Sequence, residues 1–247
     1  MRRTSYIPVV AALALSLGCS AAQAAVIDLY DWGFNLDGTT YLSPATYSGP
    51  GALPGNINAG AFGFSSGMGT GGGLGTVTIT ITGAGNHSVD AFFDHEIDEA
   101  VNTYFNEYGV TGGGALAAGQ SYEIDEPGWV FGDIYDNFVA STLDNSNAVP
   151  SGSEDDVSMA LGWDFSLLAG ETATIQFFLS SVAPNQFFLA HIDPDSDSAI
   201  YFSSTLVKSG GTVPDPSVPE PGTLLLMGAG LAGLAGASRR GQTPKAR

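Results

Sequence analysis

The chain has 247 residues, of which 44% are hydrophobic, and this length suits one domain of ordinary size with its own core. It contains 7 Lys or Arg against 25 Asp or Glu, and the resulting net charge of −18 argues against a nucleic-acid-binding protein, which needs a cationic surface. Glycine, at 34 residues, is about twice as frequent as its usual share of about 7%. Many glycines together with 11% aromatic residues favour a β-rich chain.

The first 24 residues have the three parts of a secretory signal peptide. A cationic start precedes an uninterrupted apolar run, and small residues lead up to Ala24. We therefore predict export through the Sec translocon and cleavage by signal peptidase between Ala24 and Ala25. The single cysteine, Cys19, would be removed with this segment, so the mature protein would hold no thiol. A lipid attached to Cys19 is the less favoured alternative, because the residues before it do not fit the usual pattern.

The acidic body, predicted to span residues 25–213, begins with patterns typical of β-strands. Residues 25–34 carry large hydrophobic side chains at even spacing, which predicts a first strand. Residues 76–82 alternate strictly between threonine and a branched aliphatic residue, which is a strong strand signal. We expect residues 89–93 to pair with them as a hairpin, across a turn at residues 83–86.

Two segments of the body have the composition of loops. Residues 43–75 are rich in Gly, Ser, Pro and Ala and carry no charge, so we predict a long surface loop with a short strand near residues 61–64. Residues 144–156 are acidic and polar, and they also predict a loop.

One segment has the periodicity of a helix. Its apolar residues form one stripe at helical spacing: Ile97, Val101, Tyr104, Phe105 and Tyr108. Asp94 is placed to cap the N-terminus of this helix, and Gly109 is placed to end it. We therefore predict one short helix between these two residues.

The strand pattern returns in the second half of the body. The predicted strands are residues 120–125, 128–131, 134–140, 159–167, 172–180, 186–192 and 200–207. Turn-forming residues separate the later strands, at residues 168–171 and 193–197. Short strands at regular intervals predict a mainly β fold, an antiparallel β-sandwich of the jelly-roll type that also holds the one short helix.

The last part of the chain, residues 214–247, joins a Pro-Glu-Pro motif, an uncharged run and a basic tail in that order. The three parts are Pro219, Glu220 and Pro221, then residues 222–238, then residues 239–247 with Arg239 and Arg240 at their start. A helix of about 17 to 25 residues crosses a hydrocarbon core about 30 Å thick, so the uncharged run predicts a transmembrane helix. The two arginines would hold the C-terminus in the cytoplasm and leave the body on the far side of the membrane.

This combination resembles the PEP-CTERM sorting signal over roughly the last thirty residues. The resemblance implies recognition by an exosortase-like membrane protease and cleavage near the Pro-Glu-Pro motif. It implies a transient anchor in the inner membrane of a Gram-negative bacterium, followed by delivery to the cell surface or the extracellular matrix. Such tails are associated with exopolysaccharide and biofilm. They are also labelled as the C-terminal region of some ice-binding proteins, which says nothing about ice binding here.

Without its two ends the body is almost free of cations. Lys208 is the one Lys or Arg of residues 25–217, and only Glu220 of the chain's 25 acidic residues lies outside that range, so the formal charge of residues 25–217 is −23. Its carboxylates must therefore be solvated, hydrogen-bonded to the backbone or bound to metal ions. Two interpretations stay open, a calcium-dependent body and an acidic surface that only confers solubility.

Asp193, Asp195 and Asp197 have the alternate spacing with which an EF-hand calcium loop begins. The pattern then departs from that motif, because Ser198 stands in place of the glycine and Ser204 in place of the bidentate glutamate. A hairpin turn built from Asp, Pro and Ser explains the same residues without a metal. Calcium is thus the one cofactor that the sequence suggests, and it competes with a metal-free turn.

No catalytic residue can be named from the sequence. The segment from Asp94 to Glu99 resembles a zinc-protease helix only superficially, because Glu99 occupies the position of the second histidine ligand. The 24 acidic residues between positions 25 and 217 offer too many pairs to single out a glycosidase site. The tryptophans could line a sugar-binding face, but burial in the core is the expectation for Trp32, Trp129 and Trp163.

The sequence therefore predicts a secreted, non-enzymatic protein of the cell surface or the extracellular polysaccharide matrix. A carbohydrate-binding or calcium-dependent adhesive module is the alternative, and an extracellular hydrolase is the third. The expected partners are the Sec translocon, signal peptidase, an exosortase-like protease and exopolysaccharide, with no nucleic acid.

Overall fold

A computed structural model describes residues 25–128, 130–211 and 226–232. Within them, the body consists of eleven strands, one α-helix and one short 3-10 helix. The strands are β1 (Ile27–Leu36), β2 (Thr39–Leu42), β3 (Ile57–Gly63), β4 (Leu74–Thr82), β5 (Gly85–Ile97), β6 (Tyr108–Gly112), β7 (Gln120–Asp125), β8 (Ser158–Leu167), β9 (Glu171–Ser180), β10 (Phe188–Asp193) and β11 (Ser198–Gly210). The helices are the 3-10 helix Tyr104–Asn106 and α1 (Ile134–Ala140).

The strands form two antiparallel sheets packed face to face, which confirms the predicted β-sandwich. One sheet has five strands in the order β2-β1-β5-β8-β7, and the other has six in the order β3-β4-β9-β11-β10-β6. The core lies between them, because alternate residues of each strand point inward. Phe93 of β5 meets Phe202 of β11 across this core, edge to face, with ring centroids 5.1 Å apart. Trp32 and Trp163 are buried as expected, whereas Trp129 lies outside the described residues.

The predicted hairpin between residues 76–82 and 89–93 is wrong. β4 pairs with β3 and β9, while β5 pairs with β1 and β8, so the turn between β4 and β5 carries the chain from one sheet to the other. Turn residues fix a reversal of chain direction, but they do not decide which strand becomes the neighbour. The two strands face each other across the core instead, since Ile79 and Phe93 both belong to it.

The predicted helix between Asp94 and Gly109 is also wrong. β5 runs on to Ile97, where it pairs with Ile27 of β1, and only the 3-10 helix at Tyr104–Asn106 is helical in this segment. The apolar stripe does not form a buried face, because Val101 and Phe105 are 87% and 59% exposed. Ladder hydrogen bonds to β1 and β8 override the local periodicity.

The α-helix of the body lies where residues 134–140 were expected to form a strand. In α1, Ile134 and Phe138 fall on one helical face and are fully buried against Phe92 of β5. Their four-residue spacing therefore serves to dock a helix on the outer face of the five-stranded sheet. Gly33 of β1 makes room for Phe138, since a Cβ atom there would lie 2.8 Å from its ring. The expected strand at residues 128–131 is absent from the described part of that segment.

The two ends of the chain are mostly outside the described residues. The signal peptide up to Ala24, the Pro-Glu-Pro motif and the two arginines of the basic tail all lie outside the described residues, and the signal peptide stays a prediction. Residues 226–232 are helical and exposed. Among the described residues, no helix has both the length and the apolar character needed to cross a membrane. The predicted transmembrane segment at residues 222–238 therefore also stays a prediction.

Candidate metal centre

Two carboxylates lie side by side near the end of β5 on the outer face of the five-stranded sheet. Phe93 and Ile97 point into the core, so Asp94 and Glu96 point to the opposite face. A third carboxylate, Asp156, comes from the loop just before β8. One oxygen from each of Asp94, Glu96 and Asp156 lies within 4.8 Å of the other two. We call these three residues the β5 acidic cluster.

The β5 acidic cluster is buried and poorly supplied with hydrogen-bond donors. Asp94 and Glu96 are only 1% and 4% exposed. The Ser158 hydroxyl donates to Asp94 Oδ1 over 2.9 Å. Buried oxygens of the other two members, Glu96 Oε2 and Asp156 Oδ1, have no hydrogen-bond partner among the described residues. Buried polar groups are normally hydrogen-bonded, so these two oxygens call for an explanation.

No lysine or arginine of the described body compensates the charge of the cluster. Lys208, its one lysine or arginine, donates instead to the Ser166 carbonyl oxygen over 3.0 Å. Burial and, to a smaller extent, repulsion from Asp156 together raise the pKa of Glu96 to about 9. Burial likewise raises the pKa of Asp156 to about 7 and that of Asp94 well above its usual range. Without a cation, the cluster therefore favours protonated carboxyls over the charged forms.

A buried histidine–glutamate pair lies beside the cluster. His191 of β10 hydrogen-bonds through Nε2 to Glu107, and both side chains are fully buried. Burial lowers the pKa of His191 and raises that of Glu107, because each charged form would lose its hydration. Both shifts favour the neutral forms of the two side chains. Charge on Glu107 would raise the pKa of Asp156, which shows that the pair and the cluster share one electrostatic environment.

A second group of close carboxylates lies between β7 and α1 and is well supplied with donors. We call Glu123, Asp125 and Asp133 the β7 acidic cluster. The Asn137 amide donates to both oxygens of Glu123, over 3.0 and 3.2 Å. The Asp125 carboxylate accepts hydrogen bonds from the backbone N–H groups of Glu126 and Asp133, each over 2.8 Å. These carboxylates therefore hold the loop before α1 in place, which is a structural role.

The three aspartates of the predicted calcium loop lie at the turn between β10 and β11. Asp193 is fully buried, and its carboxylate accepts from the Asn102 amide over 2.8 Å and from the Asp195 N–H over 2.9 Å. Asp195 and Asp197 are exposed. The two groups of close metal-binding side chains in the described chain do not include these residues. Calcium binding by this loop stays a prediction, and the observed contacts are those of a tight turn.

The other two histidines of the chain, His87 and His95, are also engaged in hydrogen bonds. His87 contacts Asp37 through Nδ1 over 2.9 Å and the Gly83 carbonyl oxygen through Nε2 over 3.0 Å. His95 is fully buried, and its Nε2 lies 2.9 Å from the Gly73 carbonyl oxygen. His95 also sits on the core side of β5, whereas Asp94 and Glu96 lie on the opposite face.

The β5 acidic cluster was not identified from the sequence, although part of the signal was present. Asp94 and Glu96 are two residues apart, which places them on one face of a strand but not of a helix. The helical interpretation of this segment hid that pairing. Asp156 is remote in sequence and joins them because Asp94 pairs with Ser158 at the start of β8.

Comparison with known proteins identifies the C-terminal segment of the chain. The family model described as the PEP-CTERM protein-sorting motif matches residues 217–240. No curated protein and no solved structure matches the chain.

Proposed function

We infer, from the PEP-CTERM sorting signal that the chain carries, that this is an exported protein which acts outside the cell as a non-enzymatic part of the extracellular polysaccharide matrix. The observation that carries the proposal is the match of residues 217–240 to the sorting motif. A sorting signal of this type suggests processing by exosortase-type machinery and delivery to the cell surface. The matrix role is the finer step, and it rests on the association of such signals with exopolysaccharide.

The proposed route uses both ends of the chain. The signal peptide directs the body through the Sec translocon, and residues 222–238 then hold it in the inner membrane as a transient anchor. Arg239 and Arg240 keep the tail in the cytoplasm, so the Pro-Glu-Pro motif faces the processing protease on the other side. Pro219 and Pro221 disfavour a helical backbone just before the anchor, and the extended backbone that they favour suits a protease.

Intact-mass measurement of the protein recovered from its host's medium and membranes tests this route. We expect the medium to contain a form that begins at Ala25 and ends near the Pro-Glu-Pro motif. The membrane fraction should contain a form that begins at Ala25 and keeps the tail. A full-length product with both ends intact in the cytosol would contradict the proposal.

A matched pair of variants separates recognition of the motif from simple anchoring. Replacement of Pro219, Glu220 and Pro221 by alanine should leave the body in the membrane fraction, uncleaved. The control, Arg239→Lys with Arg240→Lys, keeps the positive charges and should be processed normally. Equal release of both variants would show that the motif is not the recognition element.

The acidic body supports a second candidate, a calcium-dependent adhesive module. Glu96 Oε2 and Asp156 Oδ1 are buried without partners, and such carboxylates suit a cation. A glycan array run with calcium and again with chelator distinguishes the candidates. Calcium-dependent sugar binding would favour the adhesive module, and turnover of a glycan would favour a hydrolase. If the protein is a non-enzymatic matrix component that does not itself bind sugars, we expect the normally folded protein to bind no glycan on the array.

A further inference from the structure

We propose that the β5 acidic cluster is a binding site for one calcium ion. The ligands are carboxylate oxygens of Asp94, Glu96 and Asp156, so the ion would join the end of β5 to the loop before β8. This site differs from the turn at Asp193, Asp195 and Asp197. It depends on the fold of the body and not on the sorting route, so its test is independent of the proposed export and matrix role.

The first step of the argument is that the buried oxygens have no other partner. Oxygens of the three carboxylates lie within 4.8 Å of one another. Glu96 is only 4% exposed, and no described donor forms a hydrogen bond to its Oε2 atom. Asp156 Oδ1 is in the same situation. The β7 acidic cluster shows that this chain can satisfy close carboxylates with amide and N–H donors. At the β5 acidic cluster, a cation supplies what those donors supply elsewhere.

The second step is the identity of the cation. Three carboxylates form an all-oxygen, strongly negative site, and hard cations prefer such ligands. Zinc would instead favour histidine nitrogen or cysteine sulfur, and the body has no cysteine. Calcium takes about six to eight oxygens in flexible geometry, whereas magnesium demands a nearly ideal octahedron. Carboxylates drawn from a strand and a loop, rather than from one rigid element, fit the more tolerant ion.

The third step is what the ion would do for the fold. Asp155, next to Asp156, receives support from the segment before β6, because its N–H donates to the Glu107 carbonyl oxygen over 3.0 Å. An ion at the cluster would therefore tie together β5, the loop before β8 and the entry to β6. A ligand that binds only the folded state stabilises that state. The body would thus be less stable where free calcium is scarce and more stable where it is plentiful.

Calcium titration of the full-length chain, kept in mild detergent because of its apolar C-terminal run, tests the site. Calorimetry should give one calcium per chain, and the Tm should rise with calcium beyond the rise in sodium chloride of equal ionic strength. Glu96→Gln and Asp156→Asn should each lower the calcium affinity at least tenfold. The control, Glu123→Gln in the β7 acidic cluster, should keep the affinity of the unchanged protein.

Several results would overturn the proposal. They are an equal Tm response to calcium and to sodium chloride, an unchanged affinity in both Glu96→Gln and Asp156→Asn, or an equal loss in Glu123→Gln. An equal response to magnesium at matched ionic strength would overturn the assignment to calcium.

A second measurement on the unchanged protein guards against variants that fail to fold. Hydrogen exchange with calcium and with chelator should show calcium-dependent protection at the end of β5 and in the loop before β8. Protection at the turn after Asp193 instead would place the ion there and refute the β5 site.

Discussion

The two acidic clusters of this sandwich contain the same kinds of side chain but differ in their hydrogen-bond donors. The β7 acidic cluster surrounds its carboxylates with the Asn137 amide and backbone N–H groups. In the β5 acidic cluster, the Ser158 hydroxyl donates a hydrogen bond to Asp94, but an oxygen of Glu96 has no partner among the described residues. Closeness of carboxylates is therefore not in itself a sign of a metal site. The supply of donors distinguishes a structural cluster from one suited to a cation.

The pKa values of the two glutamates express the same difference. Burial raises the pKa of Glu123 to about 7, and its hydrogen bonds from Asn137 oppose that rise. Burial and the neighbouring Asp156 together raise the pKa of Glu96 to about 9. Donors stabilise a charged carboxylate, whereas acidic neighbours destabilise it. The variants below test this comparison from the largest expected effect to the smallest.

Asp90 offers an intermediate case, because it is buried on the outer face of β5 with a single donor. Burial raises its pKa from the usual 3.8 to about 7, despite a 2.5 Å hydrogen bond from the Ser141 hydroxyl. The folded state therefore binds this proton more tightly than the unfolded state, so stability falls as pH rises from about 4 to about 7. Asp90→Asn should be more stable than the unchanged protein at pH 8, by on the order of 3 kcal/mol.

Chemical unfolding in chelator at several pH values measures this effect. The stability difference between Asp90→Asn and the unchanged protein should shrink as the pH falls toward 4. A difference that does not vary with pH would mean that Asp90 is ionised in the folded protein.

Asp125→Ala should break the β7 acidic cluster. The substitution leaves the N–H groups of Glu126 and Asp133 without their acceptor. We expect a loss of about 2 to 3 kcal/mol in the free energy of unfolding, measured by urea denaturation at neutral pH. Asp136→Ala, at an exposed position of α1, is the control and should change stability by no more than about 0.5 kcal/mol. Similar losses in both variants would remove the structural role assigned to Asp125.

Asn137→Ala should make the β7 acidic cluster resemble the β5 acidic cluster. It removes the amide that donates to both oxygens of Glu123. We expect a loss of about 1 to 2 kcal/mol at pH 8 and a smaller loss near pH 5, where Glu123 is protonated. The sign follows because the hydrogen bonds favour the charged form of Glu123, and their removal raises its pKa. Thermal unfolding at the two pH values provides the measurement, and a loss that grows at low pH would refute the argument.

His87→Ala should have the smallest effect. His87 and Asp37 form an ion pair over 2.9 Å, and the Asp37 side chain is 46% exposed. Solvent screens such a pair, so we expect a loss of about 0.5 kcal/mol or less in the free energy of unfolding. Urea denaturation at pH 6 and pH 8 tests this, since any contribution of the pair should fade as His87 loses its proton. A loss comparable to that of Asp125→Ala would show that surface pairs also hold this fold together.

Much of the strand pattern followed from the sequence. Residues 120–125, 159–167 and 172–180 were predicted as strands, and β7, β8 and β9 occupy nearly the same positions. These segments have strict alternation or high β-propensity, so local and tertiary preferences agree. The errors arose where local patterns were ambiguous. The segment from Ile134 to Ala140 has both β-branched residues and the four-residue spacing that docks α1 against Phe92.

The candidate site could not be assembled from the sequence, because its members come from distant segments. Asp94 and Glu96 stood in a segment interpreted as a helix, on which they would not share a face. Asp156 lies in a segment that was correctly predicted to be a loop, but the sequence of this loop does not indicate which strand Asp156 approaches. The antiparallel register of β5 and β8, with Asp94 opposite Ser158, decides that contact.

The sequence by itself determined the cation-poor composition of the body, its β-rich character and the sorting motif at residues 217–240, because these properties reside in local patterns and residue counts. The tertiary structure alone decided which sheet each strand joins, where the helix docks and which acidic residues of the body lie buried without donors. Those outcomes depend on contacts between residues far apart in the chain. A carboxylate's protonation and its capacity to bind a cation follow from burial and neighbouring donors, and only the folded chain creates both.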